Sequence, residues 1–331
     1  MKRKIVLSML SVFFIGLVLL PFNVSAAEKE LKLAAWGSGK HFIAVQRAEW
    51  INDVNTALAG QYKIVEFPGG QLYGPKEMHM AVAKGSVDLG VILQPAMLAM
   101  VPMLQGAYLP FAFDNIDDAA TAYQGESMEI LEKYLAKKQI KVIYTNFTDG
   151  VQVYSNKGII NTIDDFKGLR VLTQSPMFTD IMIALGSAPD SSIPFNEQYM
   201  ALKRGISDAT LTSIVGGYFD RTAEVARHIT KCNMSFATIF TAMNLKKWEK
   251  LPQEARDVMT KLGKATEAKS LATAKGWEAK FTQDMINLGN SVKVMKDEER
   301  AKIKAIAKPV WEKWAKENGP DAQRLLALNA K

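Results

Sequence analysis

"FPGGQLYGPKEMHMAVAKGSVDLGV", residues 67–91, is the stretch that decides the fold. The residues leading into it, Tyr62 to Phe67, read as a strand, and Pro68-Gly69-Gly70 closes it as a turn. Pro75 opens a helix, whose first turn has no use for the N–H that proline lacks. The helix runs to Lys84 and stops at Gly85, a residue suited to the left-handed conformation of a helix C-terminus. Val87 to Leu93 is then a short, continuous apolar run, as expected of a strand buried on both faces. Strand, helix and strand at this spacing make a parallel α/β unit. Upstream, Leu31 to Trp36 reads as an opening strand. Phe42 to Leu58 reads as a helix with Ala44, Trp50 and Val54 on its inner stripe.

The same device returns later. "AVAKGSVDL" (81–89) and "ALKRGISDA" (201–209) share Ala, two residues, a basic residue, Gly, two residues and Asp. Two such units suit two lobes of similar build. From Leu251-Pro252 to about Leu288 there is no internal proline. Val258, Met259, Leu262, Ala265, Leu271, Ala274, Trp277, Phe281, Met285 and Leu288 recur there mostly at spacings of three and four. As one helix this run is about 50 Å long, which exceeds a small domain. It is expected to pass across both lobes, either unbroken or broken near Gly263 or Gly276. Glu298 to Lys316 reads as a surface helix packing Ile303, Ile306, Val310 and Trp314; its interspersed acids argue against a membrane-binding face. The fold class expected is α/β, in two lobes with a ligand cleft between them and a long bridging helix.

Lys2, Arg3 and Lys4, the apolar run Ile5 to Phe22 and the small residues Val24-Ser25-Ala26 have the form of a secretory signal peptide cleaved near Ala26. A retained anchor is the rival reading. Removing this leader lowers the formal net charge from +7 to +4. No basic block of the kind that tracks phosphates is present, which argues against a nucleic-acid partner. Cys232 is the only cysteine, so the chain has no internal disulfide and no thiolate metal site.

Catalytic constellations are scarce. The three histidines, His41, His79 and His228, form no HExxH, and no Gly-x-Ser-x-Gly is present. "WGSGKH" (36–41) lacks the first glycine of a phosphate loop and has His41 where Ser or Thr would hold magnesium. Acidic pairs such as Asp117-Asp118 and Asp164-Asp165 are explained by capping. No catalytic residue, cofactor or metal is expected. Small-molecule binding in the cleft is the physical default. Ligands of open α/β sheets lie at the carboxyl ends of strands. That rule selects Trp36, Gln94, the residues after Leu172, and Thr210 to Ser213.

"FPGGQLYGPKEMHMAVAKGSVDLGV", "LPFAF", "IDDFKGLRV", "IPFNEQYMALKRGISDA", "EVARHIT" and "LKKWEKLPQEARDVM" occur in this order over nearly all of the chain after the leader. In these blocks the sequence resembles the periplasmic solute-binding subunit of TRAP transporters, the C4-dicarboxylate-binding family. The resemblance implies a periplasmic binding protein of two lobes. Lobe I is 27–150 plus about 238–277, and lobe II is 151–237 plus about 278–331. It further implies no enzymatic activity, a monomer, and delivery of a captured solute to TRAP membrane permease subunits. An extracytoplasmic sensor presenting the solute to a receptor is the alternative, and an exported enzyme a third.

In the family, an arginine in a KGLKxR motif usually fixes the ligand's carboxylate by a bidentate pair. In "DDFKGLRVLTQSP" (164–176) that position holds Leu172. A second family arginine falls on Gln152, the family asparagine on Thr212, and another asparagine on Trp36; Phe195 is retained. A buried carboxylate without a cation is costly. Either another cation substitutes, with Lys40 and His41 as candidates, or the ligand is not a simple carboxylate. Arg170 lies about 7 Å along the strand from Leu172 and is expected at the surface. Trp36, Tyr154, Phe195 and Tyr218 suit an aromatic, amide-lined pocket for a cation, an amine or a flat apolar ligand. The expected ligand-binding set is therefore Trp36, Lys40, His41, Gln94, Gln152, Tyr154, Leu172, Thr173, Gln174, Ser175, Phe195, Thr212 and Tyr218, for a solute other than a typical C4-dicarboxylate.

Overall fold

The computed structural model describes residues 28–330 apart from Ser38, Phe195 and Asn196. The leader and Phe195 singled out above lie outside the described residues. The strands are β1 (Lys29–Ala34), β2 (Tyr62–Phe67), β3 (Leu89–Leu93), β4 (Ile140–Ser155), β5 (Arg170–Leu172), β6 (Ala188–Asp190), β7 (Ala209–Ser213), β8 (His228–Lys231), β9 (Phe236–Asn244) and β10 (Ser291–Val294). Their order is β2-β1-β3-β9-β4-β7-β5-β6, with β8 beside β4 and β10 beside β8.

Two groups of parallel strands flank the centre. β2, β1 and β3 are mutually parallel on one side, and β7, β5 and β6 on the other. Helices cover both groups, and the chain is an α/β fold of two lobes. β4 belongs to both. Its first part pairs antiparallel with β9 as far as Gly150, and Val151–Ser155 pairs with β7. At the change-over the register shifts between Phe147 and Gly150. A Cβ on Gly150 would lie 2.4 Å from Asn233 Oδ1, so a side chain here would push aside the Asn233 amide that holds the returning chain.

The two repeated blocks fold alike. Gly85 and Gly205 take positive φ angles, 74° and 68°, and end helices Met78–Lys84 and Gln198–Lys203. The aspartate three residues later ties each unit to its neighbouring parallel strand. Asp88 Oδ2 accepts from the Lys32 amide at 2.7 Å, and Asp208 Oδ2 from the Arg170 amide at 3.2 Å. In return the amides of Asp88 and Asp208 donate to the Lys32 and Arg170 carbonyls at 3.0 and 2.9 Å. Arg170 also closes on Asp208 with its guanidinium, at 2.9 and 2.6 Å, and this hydrogen bonding pulls the Asp208 carboxyl down to about 2. The arginine is exposed, as the sequence suggested. Two boundaries differ from the sequence reading. The helix expected from Pro75 starts at Met78, because a turn in which the Met78 amide donates to the Gly74 carbonyl comes first. The strand expected from Val87 starts at Leu89.

The long helix, Gln253–Asn287, is continuous over 35 residues. It packs on β4, on helix Phe42–Ala57 of the first lobe and on helix Ile214–Phe219 of the second. Gly263 does not break it. A Cβ there would meet the Ile143 carbonyl and Tyr144 Cβ at 3.0 Å, so this glycine serves close approach to β4. The buried stripe is Ala255, Met259, Gly263, Thr266, Ser270, Ala274, Phe281 and Met285. Leu288, expected inside, is 66% exposed. Gly263, Thr266 and Ser270 carry no apolar signal in the sequence, although they lie on this stripe. Helix Asp297–Asn318 buries Ile303, Ala307, Trp311 and Ala315; Ile306, Val310 and Trp314 sit half-buried beside that row.

Gly217 sits in the helix that closes over Tyr154, where a Cβ would lie 2.4 Å from the hydroxyl and 2.5 Å from Cζ. The ring is fully buried and has nowhere to retreat. Gly217→Ala is expected to lower stability by about 1–3 kcal/mol, read as an earlier denaturant midpoint at unchanged slope.

Candidate functional site

A cavity of about 200 Å³ lies between the lobes, where strand ends from both meet. Trp36 and Gly37 follow β1, Val91 and Leu93 belong to β3, and Leu211, Thr212 and Ser213 end β7. This is the position at which open α/β sheets hold ligands. Val151 and Ile239 add apolar surface from the crossing strands. Wider hollows exist, including one of about 300 Å³ that shares Gln174 and adds Thr173 at its wall. The smaller cavity is distinguished by chemistry, because Arg47 lines it. Arg47 is the sole lysine or arginine below one-tenth exposure among the described residues, at 4%.

Arg47 is held from one side. Its Nε donates to Glu66 Oε1 at 2.8 Å and its Nη2 lies 2.7 Å from the same oxygen in an ion pair, and its Nη1 makes no hydrogen bond among the described residues. A planar fork pinned by one carboxylate keeps its remaining donors in a fixed direction. His41 precedes helix Phe42–Ala57 and caps it, with Nδ1 accepting from the Ile43 amide at 3.2 Å. Burial, reinforced by the nearby Arg47 charge, lowers the His41 pKa to about 4. The ring is therefore neutral at pH 7, and its proton sits on Nε2, as a donor. Asp220, just past helix Ile214–Phe219 of the second lobe, also lines the cavity. More than a third of its surface reaches water. The surrounding cleft walls still raise its pKa to about 6 by desolvation, and its carboxylate has no hydrogen-bonding or ionic partner among the described residues.

Rings from three elements meet at one end of the cavity. His41 lies 5.4 Å from Phe219 and 6.0 Å from Trp277 between ring centroids. Phe42 packs at 5.1 Å on Trp277. First lobe, second lobe and long helix thus touch through aromatic faces. Below them Asp149, on β4 at the change-over, accepts from the Ile214 and Val215 amides at 2.6 and 3.2 Å through Oδ2. Its Oδ1 is buried without a partner. Desolvation, with Glu278 nearby, raises its pKa to about 7.

Of the residues selected from sequence, Trp36, His41, Gln174 and Thr212 come together at the cavity. Trp36 is oriented by its Nε1, which donates to the Val91 carbonyl at 2.7 Å. Gln174 donates from Nε2 to the Leu211 carbonyl at 3.1 Å. The others are placed elsewhere. Lys40 is exposed and does not line the cavity. Gln94 is buried, with Nε2 donating to the Leu104 carbonyl. Gln152 binds the returning chain: Nε2 donates to Asn233 Oδ1 and the Gly150 carbonyl, and Oε1 accepts from the Cys232 and Asn233 amides. Tyr154 is fully buried and donates to the Ser213 carbonyl at 3.2 Å. Leu172 is fully buried in the second lobe. Thr173 exchanges a 2.7 Å hydrogen bond with Thr179. Ser175 caps helix Pro176–Ala184, and Tyr218 packs at a tilt on Phe281, 4.3 Å between ring centroids. Neither lines the cavity.

Arg47, Asp220, Thr148 and Phe219 line the cavity without having been selected, and Ser213, which the strand-end rule picked out, lines it too. For Arg47 a signal was present: it lies three residues from both Ala44 and Trp50, so a charge interrupts the apolar stripe.

Two lobes of α/β build, two strands crossing between them, a bracing helix and a charged cavity at the strand ends define a solute-binding protein. A family model described as bacterial extracellular solute-binding protein, family 7 (DctP) matches residues 38–318, and the chain belongs to that family. It is 26% identical over 277 residues to the C4-dicarboxylate-binding periplasmic protein DctP of Rhodobacter capsulatus, spanning 82% of this chain and 81% of the relative. The fold is similar, at TM-score 0.85 and 21% identity, to a TRAP periplasmic solute-binding protein from Roseobacter denitrificans with bound β-D-glucuronate, over 91% of this chain and 99% of that one. A Bordetella pertussis extracytoplasmic solute receptor binding pyroglutamic acid aligns at TM-score 0.83 and 21% identity, over 92% of this chain and 100% of that one.

Leu172→Arg would force a guanidinium into a fully buried position, and is expected to unfold the second lobe rather than tighten binding; a melting temperature equal to that of the unaltered protein would contradict this. Asp149 gives a pH signature. The native state keeps its proton up to about pH 7, whereas the unfolded chain releases it near 3.8. Its contribution to stability is therefore full at low pH and lost as pH rises through 7. His41 runs oppositely, its contribution being lost as pH falls from 6.5 towards 4. Urea midpoints measured from pH 4 to 8 should show Asp149→Asn gaining on the unaltered protein as pH rises, with His41 cancelling from the comparison.

Proposed function

We propose that this protein is exported, captures a small organic solute bearing a carboxylate, and delivers it to a TRAP-type membrane permease. The observation that carries the reading is the buried Arg47 guanidinium, fixed by Glu66 and with Nη1 left over, at the wall of a cavity formed by strand ends of both lobes. A carboxylate placed against those remaining donors would gain charge-assisted hydrogen bonds in a site shielded from water. His41 Nε2–H and the Thr212 hydroxyl are the neutral groups we assign to the same ligand. Family membership and the binding of organic acids by the relatives named above support the class of ligand.

The site suits C4-dicarboxylates poorly. It offers one guanidinium, already shared with Glu66, and Asp220 adds a negative charge. A second ligand carboxylate would therefore be desolvated without a cation. The strand-end positions that resemble the family's arginines are occupied by Leu172 and Gln152, whose side chains are spent on packing and on the returning chain. We place the lobes at 27–150 plus about 238–277 and at 151–237 plus about 278–319. Helix Pro320–Asn329 goes with the first lobe, since it packs on 102–107 and 125–137. Closure about β4 and β9 in a monomer is the motion that would enclose the solute.

Thermal shift across a library of monocarboxylic acids, amino acids, sugar acids and sulfonates tests the reading, because a ligand selective for the folded state raises its stability. At least one carboxylate should raise the melting temperature, and Arg47→Gln should abolish that response. Micromolar binding of succinate or malate by calorimetry would sink the exclusion of C4-dicarboxylates.

A further inference from the structure

We propose that the solute is a zwitterion, with its carboxylate on Arg47 of the first lobe and an ammonium on Asp220 of the second. This rests on the binding-protein reading above and narrows its ligand.

The argument is one of charge. Arg47 and Glu66, 2.7 Å apart, cancel each other. His41 is neutral at pH 7. Asp220 is left as an uncompensated carboxylate on the cavity wall. The walls thus carry net negative charge before any ligand arrives. A simple monocarboxylate would double it in a partly desolvated space, where like charges repel strongly. A zwitterion adds no net charge and gives both Arg47 Nη1 and Asp220 a partner. The cost of desolvating Asp220, visible in its raised pKa of about 6, is then offset by an ion pair in the closed cleft.

The geometry agrees. Arg47 projects from helix Phe42–Ala57 and Asp220 follows helix Ile214–Phe219, so the two charges stand on opposite lobes. Much of the rest of the lining is apolar, including Val91, Leu93, Val151 and Ile239. The Trp36 and Phe219 rings also line the cavity, and aromatic faces attract ammonium groups, methylated ones included. A molecule charged oppositely at its ends bonds both lobes at once and so favours the closed form. At about 200 Å³ the space lies below the ~300–1,000 Å³ of drug-sized sites, which favours a compact amino-acid-like or betaine-like solute.

The test uses matched probes on the intact protein by thermal shift and calorimetry. The sets are γ-aminobutyrate with butyrate, n-butylamine and the trimethylated γ-butyrobetaine; β-alanine with propionate and n-propylamine; and proline with cyclopentanecarboxylate and pyrrolidine. Gluconate represents hydroxy acids. At least one zwitterion should bind about tenfold or more tightly than both of its singly charged counterparts. Asp220→Asn, an exposed substitution that keeps one acceptor oxygen, should erase that preference and strengthen binding of the plain acid. Glu66→Gln should likewise favour the plain acid by leaving Arg47 uncompensated. Binding of butyrate, propionate or gluconate in preference to zwitterions, undisturbed by Asp220→Asn, would overturn the zwitterion while leaving the binding-protein reading in place. Silence towards every probe by a folded protein would overturn the zwitterion, and silence extending to the whole acid library would overturn both.

Discussion

Strand β4 is shared by both lobes, and a strand buried on both sides must have its backbone groups paired on each edge. It meets β9 along its first part and β7 and β8 along its second. The change of partner occurs at Asp149-Gly150. There the side chain of Asp149 replaces ladder bonds by reaching the amides that open helix Ile214–Phe219. Gly150 leaves room for Asn233, and Gln152 ties that returning segment down through three hydrogen bonds. The same short stretch therefore fixes the crossing of the chain and the helix that carries Phe219 and Asp220 to the cavity.

The long helix supplies the second constraint. Glycine and small polar residues on its inner row bring it close to β4, and Ser270 and Glu267 accept from the Phe147 and Thr145 amides at 3.0 and 2.7 Å. Bonds of this kind satisfy backbone donors where β4 is irregular. Further along, Trp277 and Phe281 receive aromatic rings from both lobes. The helix is thus fixed to the crossing strand at one end and to the mouth of the cleft at the other. The closure proposed above would be accommodated where aromatic faces slide, since these contacts are less directional than hydrogen bonds.

The electrostatics of the cavity follow from where its cation comes. A strand-end arginine would belong to the second lobe, but the positions resembling it carry Leu172 and Gln152. Arg47 instead enters from a first-lobe helix and is balanced by Glu66 on β2. A buried cation without that partner would be costly, and the pair leaves enough donor capacity for a ligand. Asp220 on the facing lobe then makes the cavity asymmetric, with donors on one wall and an acceptor on the other.

The sequence by itself determined the α/β class, the paired helix-Gly-x-x-Asp units, the continuous apolar run of the long helix and, through its blocks, the family. These are local or repeated patterns whose physical cause lies within a few residues: Gly85 and Gly205 because a helix must end left-handed, Tyr62–Phe67 because a turn cluster stops it. Trp36, His41, Gln174 and Thr212 were also reachable, since strand ends are where α/β sheets expose ligand sites. Only the tertiary structure decided the rest. Gln152, Tyr154 and Leu172 have the composition of a site yet serve the crossing and the core, because alternation along a strand does not say which face meets the other lobe. Arg47 and Asp220 lie 173 positions apart. They share a cavity because β4 and the long helix fix two helices from different lobes against the same strand ends, a relation no local pattern encodes.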